Sequence, residues 1–208
     1  MTEELELRYA VDDPAAVEAW LDEHFWPADV GPMARWTEVD QADRYFDTAD
    51  GVLAQAGYGA RLRITDDRTT VTLKSDIARS GALHRRREIE AAAADALAAA
   101  AWPESEARRL VEQLAAGSPL VERFTIRQRR RVRDLRRSDA ALQVSIDRLQ
   151  VEHGGRIVGR AAILEVELRD GDPGALREVD ALMSDSDVVR PEPRNKMAIA
   201  QELISAHC

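Results

Sequence analysis

The sequence predicts an antiparallel α+β fold, and three observations carry the prediction. Charged and apolar residues alternate in "EELELRYAV" from Glu3 and in at least five later segments, which is the period of a strand. Neighbouring segments of this kind are joined by short turn-forming stretches such as "DD" and "HGG". The order along the chain is strands, helices, strands, helices, whereas a doubly wound parallel sheet needs a crossover between successive strands.

Each element has its own signal. In the first strand Glu4, Glu6 and Arg8 share one face and Leu5, Leu7 and Tyr9 the other. "VDDPAAVEAWLDEHF" reads as a helix with Asp13 as N-cap, Pro14 at the first helical position and a Val17, Trp20, Leu21 stripe. "TEVDQADRYFDT" alternates again and ends at the turn "ADG". "YGARLRIT" and "TTVTLKSD" form a hairpin about "DD", and "ALHRRREIEA" is a fifth strand. The alanine-rich stretch from Ala91 to Ala101 reads as a helix. Pro103 restarts a second one, "PESEARRLVEQLAAG", which Gly117 ends. Three strands follow, "VERFTIRQRRRVRDL", "AALQVSIDRLQVE" and "RIVGRAAILEVELRD", the last two joined by "HGG". "DPGALREVDALMSD" and "EPRNKMAIAQELISA" are the closing helices.

With 208 residues, 45% hydrophobic and 32% charged, the chain has the material for one domain, 1–208, with a substantial core. It shows no linker, no repeat, no signal peptide and no apolar run of membrane-spanning length, so a cytoplasmic location without a membrane partner is expected. Cys208 is the single cysteine; it forms no disulfide framework and is a poor nucleophile at a chain end. The net charge of −9 has the wrong sign for a non-specific nucleic-acid binder. Yet arginines concentrate in segments such as "IRQRRRVRDLRR", so a small polyanion could find a local positive field.

The charged rows carry the chemistry. They comprise Glu4, Glu6 and Arg8; Arg61 and Arg63; Thr72 and Lys74; then Arg86, Glu88 and Glu90. Later come Arg127, Arg129 and Arg131, then Asp147, then Glu165 and Glu167. Carboxylates at i and i+2 of a strand sit roughly 6–7 Å apart and repel by about 2–3 kcal/mol at an effective dielectric near 20. Such pairs call for a cation, and oxygen ligands suit Mg²⁺ or Mn²⁺. The arginine and lysine rows call for an anion, and guanidinium forks fit phosphate. Either the rows are the solvated face of an ordinary sheet or a closed barrel turns them inward; the periodicity leaves both open.

Alternative motifs fail. "GYG" at Gly57 has neither the lysine of a P-loop nor a following helix. His24, His84, His153 and His207 lack ligand spacing and read as surface or turn residues. Trp20, Trp26, Trp36 and Trp102 read as core.

The ordered motifs resemble the CYTH domain, the triphosphate tunnel metalloenzymes. "ELELR" is similar to the family's Glu–x–Glu–x–Lys signature, with Arg8 in place of lysine. "YFDTADGVLAQAGYGARLRI", "TLK", "RREIE", "RQRRR", "SIDR", "LEVEL" and "RNK" follow in the family's order. The resemblance implies a closed eight-stranded antiparallel β-barrel, a tunnel with helices packed outside, acting on a triphosphate with Mg²⁺ or Mn²⁺. It implies that Glu4, Glu6, Asp147, Glu165 and Glu167 hold metal. Arg8, Arg61, Arg63, Lys74, Arg86, Arg127, Arg129 and Lys196 would bind the phosphate chain, and Glu88 and Glu90 are further tunnel acids. Glu4, Glu6, Arg8 and Lys74 are the expected catalytic group.

The expected activity is hydrolysis of inorganic triphosphate, because Gly57, Gly59 and Ala60 leave little side chain to stack on an organic group. Adenylate cyclase, from the same family, and a non-catalytic polyphosphate or nucleotide binder are the alternatives. Monomer and homodimer are both compatible with the sequence.

Overall fold

The computed structural model describes residues 2–24 and 35–207. Phe25, Trp26 and Cys208, named above, lie outside the described residues. The chain runs β1 (Thr2–Val11), α1 (Pro14–His24), β2 (Thr37–Thr48), α2 (Val52–Gln55), β3 (Gly59–Ile64), β4 (Thr69–Ser80) and β5 (Leu83–Ala92). It continues with α3 (Glu106–Ala115), β6 (Leu120–Arg136), β7 (Ala140–His153), β8 (Arg156–Gly171), α4 (Gly174–Ser184), β9 (Val189–Pro191) and α5 (Lys196–His207).

All strand pairings are antiparallel, in the order β5-β4-β3-β2-β6-β7-β8-β1, and β5 pairs back onto β1. The sheet is therefore a closed eight-stranded barrel, as the resemblance implies. β1 closes it by pairing β5 over Thr2–Leu7, while β9 takes up the same edge at Tyr9–Val11. The turn between β7 and β8 has both Gly154 (φ 57°) and Gly155 (φ 73°) in the left-handed region, where a two-residue hairpin of this twist places them.

Closure forces each strand's two faces apart, one into the barrel and one outward. Apolar outward-facing residues make two cores. Leu7, Val144, Ile146, Leu164 and Val166 pack under α1 and α4, which contribute Val17, Leu21, Leu176 and Met183. Leu62, Val71, Leu73 and Ile89 pack with Leu53 of α2 and Ala107 and Val111 of α3. A third cluster, Phe124, Ile126, Leu149 and Ile163 with Ile199 and Ala200, seats α5 against the strands. Those strand positions share parity with Gln128, Arg130, Asp147 and Glu165, so α5 seals one end of the barrel with apolar side chains. Gly159 permits the approach: a Cβ there would lie 2.9 Å from Leu203.

Several predicted elements hold in detail. Asp13 Oδ1 accepts from the backbone N–H groups of Ala15 and Ala16, capping α1. Ser105 Oγ accepts from Arg108 N and caps α3. At the other end of α3 the first left-handed residue is Ala116 (φ 47°), with Gly117 following at φ 85°.

Others differ. Ala91–Ala101 is not a helix. Ala91 and Ala92 extend β5 opposite Val71 and Thr70, and only Ala99–Ala101 forms a single tight turn. Ladder pairing, the Trp102 Nε1–H bond to Ala96 O and packing of the alanines on the second core outweigh helix propensity there. The short α2 begins where Asp47 accepts from the N–H groups of Leu53 and Ala54. Trp102 is core, 1% exposed, with its ring edge-on to Phe46. His84, read above as a surface or turn residue, is fully buried, and its Nε2–H donates to Glu192 O; His24, His153 and His207 are exposed.

Candidate active site

The barrel encloses a cavity of about 700 Å³. One wall is acidic: Glu4 and Glu6 from β1 beside Glu165 and Glu167 from β8. The cationic lining is Arg86 from β5, next to Glu4 on the ladder, with Arg61 and Arg63 from β3, Lys74 from β4, Arg130 from β6 and Lys196 from α5. Glu88 and Glu90 also line it. Alternation alone delivers these groups, since each row is the inward parity of its strand.

The rows interlock. Lys74 Nζ lies 2.9 and 2.8 Å from the two Glu4 oxygens and 3.4 Å from Glu88. Arg86 reaches Glu4 at 3.0 Å and Glu6 at 2.6 Å. Lys196 Nζ bonds Asp147 at 2.6 Å and Glu165 at 3.0 Å. Arg8 spends all three guanidinium nitrogens, on Glu165, Glu6 and Arg194 O. Arg8 therefore braces the acidic wall, and 1% exposure leaves it little reach into the cavity.

The acidic wall is uneven in charge. Burial raises the Glu4 carboxyl, but Lys74 and Arg86 outweigh it and hold it at about 2. Burial likewise opposes Glu165, and Lys196, Arg8 and Arg130 overcome it, keeping that carboxyl well below the ordinary range. Glu6 goes up: burial and the charges of Glu165 and Glu4 exceed the pull of Arg8 and Arg86. Glu167 is pushed to about 7 by burial and by Glu4 and Glu6. Across the cavity, burial and the positive charges of Arg86 and Arg61 lower the Lys74 ammonium despite Glu4.

Two of the expected phosphate-binding residues are misplaced. Arg127 and Arg129 do not line the cavity; their side chains are 61% and 57% exposed and pair outside with Glu152 and with Asp40 and Glu38. Arg131 also faces outward, onto Glu18 of α1 and the Trp36 ring. The inward row of β6 is Phe124, Ile126, Gln128 and Arg130. It is apolar under α5 and charged beyond it, so its polarity changes along one face and the arginine run suggests the wrong parity. Asp147 is fully buried and lies behind the lining, held by Lys196 and Arg130.

The charged and aromatic lining residues that sequence reasoning missed include Arg130, Arg68, Arg169, Asp76 and Tyr58, and it also missed the buried Asp43 behind Arg61 and Arg63. Tyr58 matters for substrate: it lies between Gly57 and Gly59, and all three line the cavity, so an aromatic ring is present where the glycines suggested none.

Among the described residues no three Asp, Glu, His or Cys groups converge as a ready-made metal cluster; the carboxylates point to lysine and arginine instead. The donor chemistry nevertheless fits a divalent cation. Four carboxylates line one wall, and Glu6 and Glu167 lack enough positive charge to ionise in the ordinary range.

A closed antiparallel tunnel with facing carboxylate and guanidinium walls defines a class of protein built to hold a polyanion together with cations. The chain belongs to the CYTH domain family, which it matches over residues 3–198. Its fold is similar to that of HpAC1 from Hippeastrum, assigned as an adenylyl cyclase and having a dominant triphosphatase activity; the two are 19% identical with a TM-score of 0.69, over 96% of this chain and 95% of that one. It is also similar to a protein assigned as an adenylate cyclase from Bacillus halodurans, at 18% identity and TM-score 0.57 over 95% and 97% of the two chains. A third such protein, from Vibrio parahaemolyticus, is 15% identical with a TM-score of 0.54, over 97% of each chain. No curated protein matches the chain. Among the described residues no helix is long and apolar enough to cross a membrane.

Proposed function

We propose that the protein is a Mg²⁺- or Mn²⁺-dependent triphosphatase that hydrolyses inorganic triphosphate to pyrophosphate and phosphate. The observation that carries this reading is the charge balance of the cavity. Nine cationic side chains and seven carboxylates line it, with Asp43 and Asp147 behind them, so the cavity carries little net positive charge to set against a triphosphate. A triphosphate entering alone would leave the cavity strongly negative, and divalent cations entering with it would offset that charge.

In this reading Arg61, Arg63, Lys74, Arg86, Arg130 and Lys196 bind the phosphate oxygens, with guanidinium forks matching their spacing. Glu4, Glu6, Glu165 and Glu167 would hold divalent metal, with Asp147 steadying Lys196 behind them. Bound metal would neutralise the phosphate chain and acidify water at the site. Water attacks the terminal phosphorus, the bridging P–O bond breaks and pyrophosphate leaves, with charge spreading over the equatorial oxygens that the basic wall addresses. No nucleophilic side chain is needed.

Purified protein with either ion should release phosphate from triphosphate and lose that activity in chelator. Folded protein inert with both ions ends the proposal. The Tyr58 ring favours one alternative, a nucleoside triphosphate as substrate, and product analysis on ATP separates cyclase from hydrolase. Tight polyphosphate binding indifferent to chelation, without turnover, would instead mark a binding module.

A further inference from the structure

Asp43 is the direct cross-strand partner of Arg63 on the β2–β3 ladder and is fully buried. It does not line the cavity, yet both β3 arginines that do are anchored on it. Arg61 Nη1 donates to Oδ2 at 2.7 Å. Arg63 clamps both oxygens, Nε to Oδ1 at 2.7 Å and Nη2 to Oδ2 at 2.9 Å. Gln128 Nε2 of β6 donates to Oδ2 as well. The carboxylate thus accepts four hydrogen bonds from three side chains of the protein, three on Oδ2 and one on Oδ1.

The stoichiometry matters. One carboxylate serves two guanidinium groups, so this corner keeps a net positive charge, whereas Lys74 and Arg86 are matched by Glu4, Glu6 and Glu88. Arg61 Nε is buried with no hydrogen-bond partner.

We propose that Asp43 is a positioning residue: it fixes the planes of Arg61 and Arg63 so that their remaining N–H groups meet phosphate oxygens, and the site selects its anion by geometry as well as by charge. This rests on reading the cavity as a triphosphate site. Charge and geometry make opposite predictions for Asp43→Asn. The substitution removes a negative charge, so charge alone predicts tighter anion binding. Loss of the clamp predicts weaker binding, because each misdirected fork forfeits paired charge-assisted bonds. A merely structural role predicts a lower melting temperature with unchanged affinity below it.

The test is calorimetric binding of inorganic triphosphate in chelator, at fixed salt and below the melting temperature, with sulfate as a competitor. Asp43→Asn should bind triphosphate roughly tenfold or more weakly and lose most of the preference for triphosphate over sulfate. Affinity equal to or above wild type, with the preference intact, overturns the inference while leaving the triphosphate reading in place. If wild type binds none in chelator, the KM for triphosphate with Mg²⁺ is read by the same criterion, and a wild-type protein that neither binds nor hydrolyses triphosphate overturns both. If Asp43→Asn does not fold, Asp43→Glu decides by the same criterion, since it keeps the charge and displaces the anchor by one methylene: retained affinity and preference overturn the inference, and loss of both supports it.

Discussion

Glu6 and Glu167 are direct cross-strand partners on the β1–β8 ladder, two carboxylates side by side on the inner wall, where neighbouring Cβ atoms are about 5 Å apart. Burial and this crowding set Glu167 near 7 against an ordinary 4.5. The folded protein therefore holds a proton that the unfolded chain has already released. The stabilisation is present below about 4.5 and is lost as pH rises towards about 7. His84, lowered to about 4 by burial and by Arg8, titrates with the opposite sign between about 4 and its ordinary 6.5. A difference between variants isolates the carboxylate. In chelator, Glu167→Gln should gain on wild type by up to about 3 kcal/mol between pH values of roughly 5 and 8. Urea melts across that range check it, and a flat difference removes the raised carboxyl.

The same wall should respond to metal. Mg²⁺ or Mn²⁺ at about 100 times its Kd should stabilise the wild-type fold by about 2.7 kcal/mol. Glu165→Gln and Glu167→Gln should lose most of that gain. Thermal melts with and without the ion measure it, and an equal gain in all three proteins would move the metal elsewhere.

Arg130 and its neighbours give a contrast within one strand. Arg127→Ala and Arg129→Ala remove exposed pairs and should change stability by less than about 1 kcal/mol, with turnover close to wild type. Arg130→Ala strips a cation from Asp147 and Glu165 and from the cavity, so turnover should fall by roughly a hundredfold or more. Parallel kinetics on the three variants decide whether the inward parity is the functional one.

Lys196 ties the sealing helix to the barrel through buried Asp147. Lys196→Met should cost about 3–5 kcal/mol, because it removes one of two cations from a carboxylate with no access to water. Lys196→Met combined with Asp147→Asn should recover part of that loss. Denaturation of the single and double variants forms the cycle, and strict additivity would deny the coupling.

Ala116 holds a left-handed conformation at the end of α3 with no glycine to relieve it. Ala116→Gly should stabilise by roughly 0.5–1 kcal/mol, the steric relief exceeding the added chain entropy. Thermal denaturation measures it.

Much of this architecture was legible because strand alternation and hairpin turns are local signals. Glu4, Glu6, Arg61, Arg63, Lys74, Arg86, Glu165 and Glu167 all reached the cavity by parity alone. The failures came from long-range packing. In β6 the inner face passes from Ile126 to Arg130 because α5 covers only part of it, and no window of that strand reports where the helix ends. Ala91 and Ala92 read as helix because alanine propensity is local, whereas their ladder partners Val71 and Thr70 lie about twenty residues upstream. Asp43 was hidden for another reason: its partners Arg61 and Arg63 become neighbours only when β2 pairs with β3.

β1 is held between segments from distant parts of the chain: residues 83–88 on one edge, 163–167 on the other, and 189–191 beyond. β1 is synthesised before all three partners, and contacts of such high order slow folding. A nascent chain halted short of residue 163 has β1 without its β8 partner, and Glu4 and Glu6 without Glu165 and Glu167 beside them. The channel can close only once residues 163–167 are available to pair with β1.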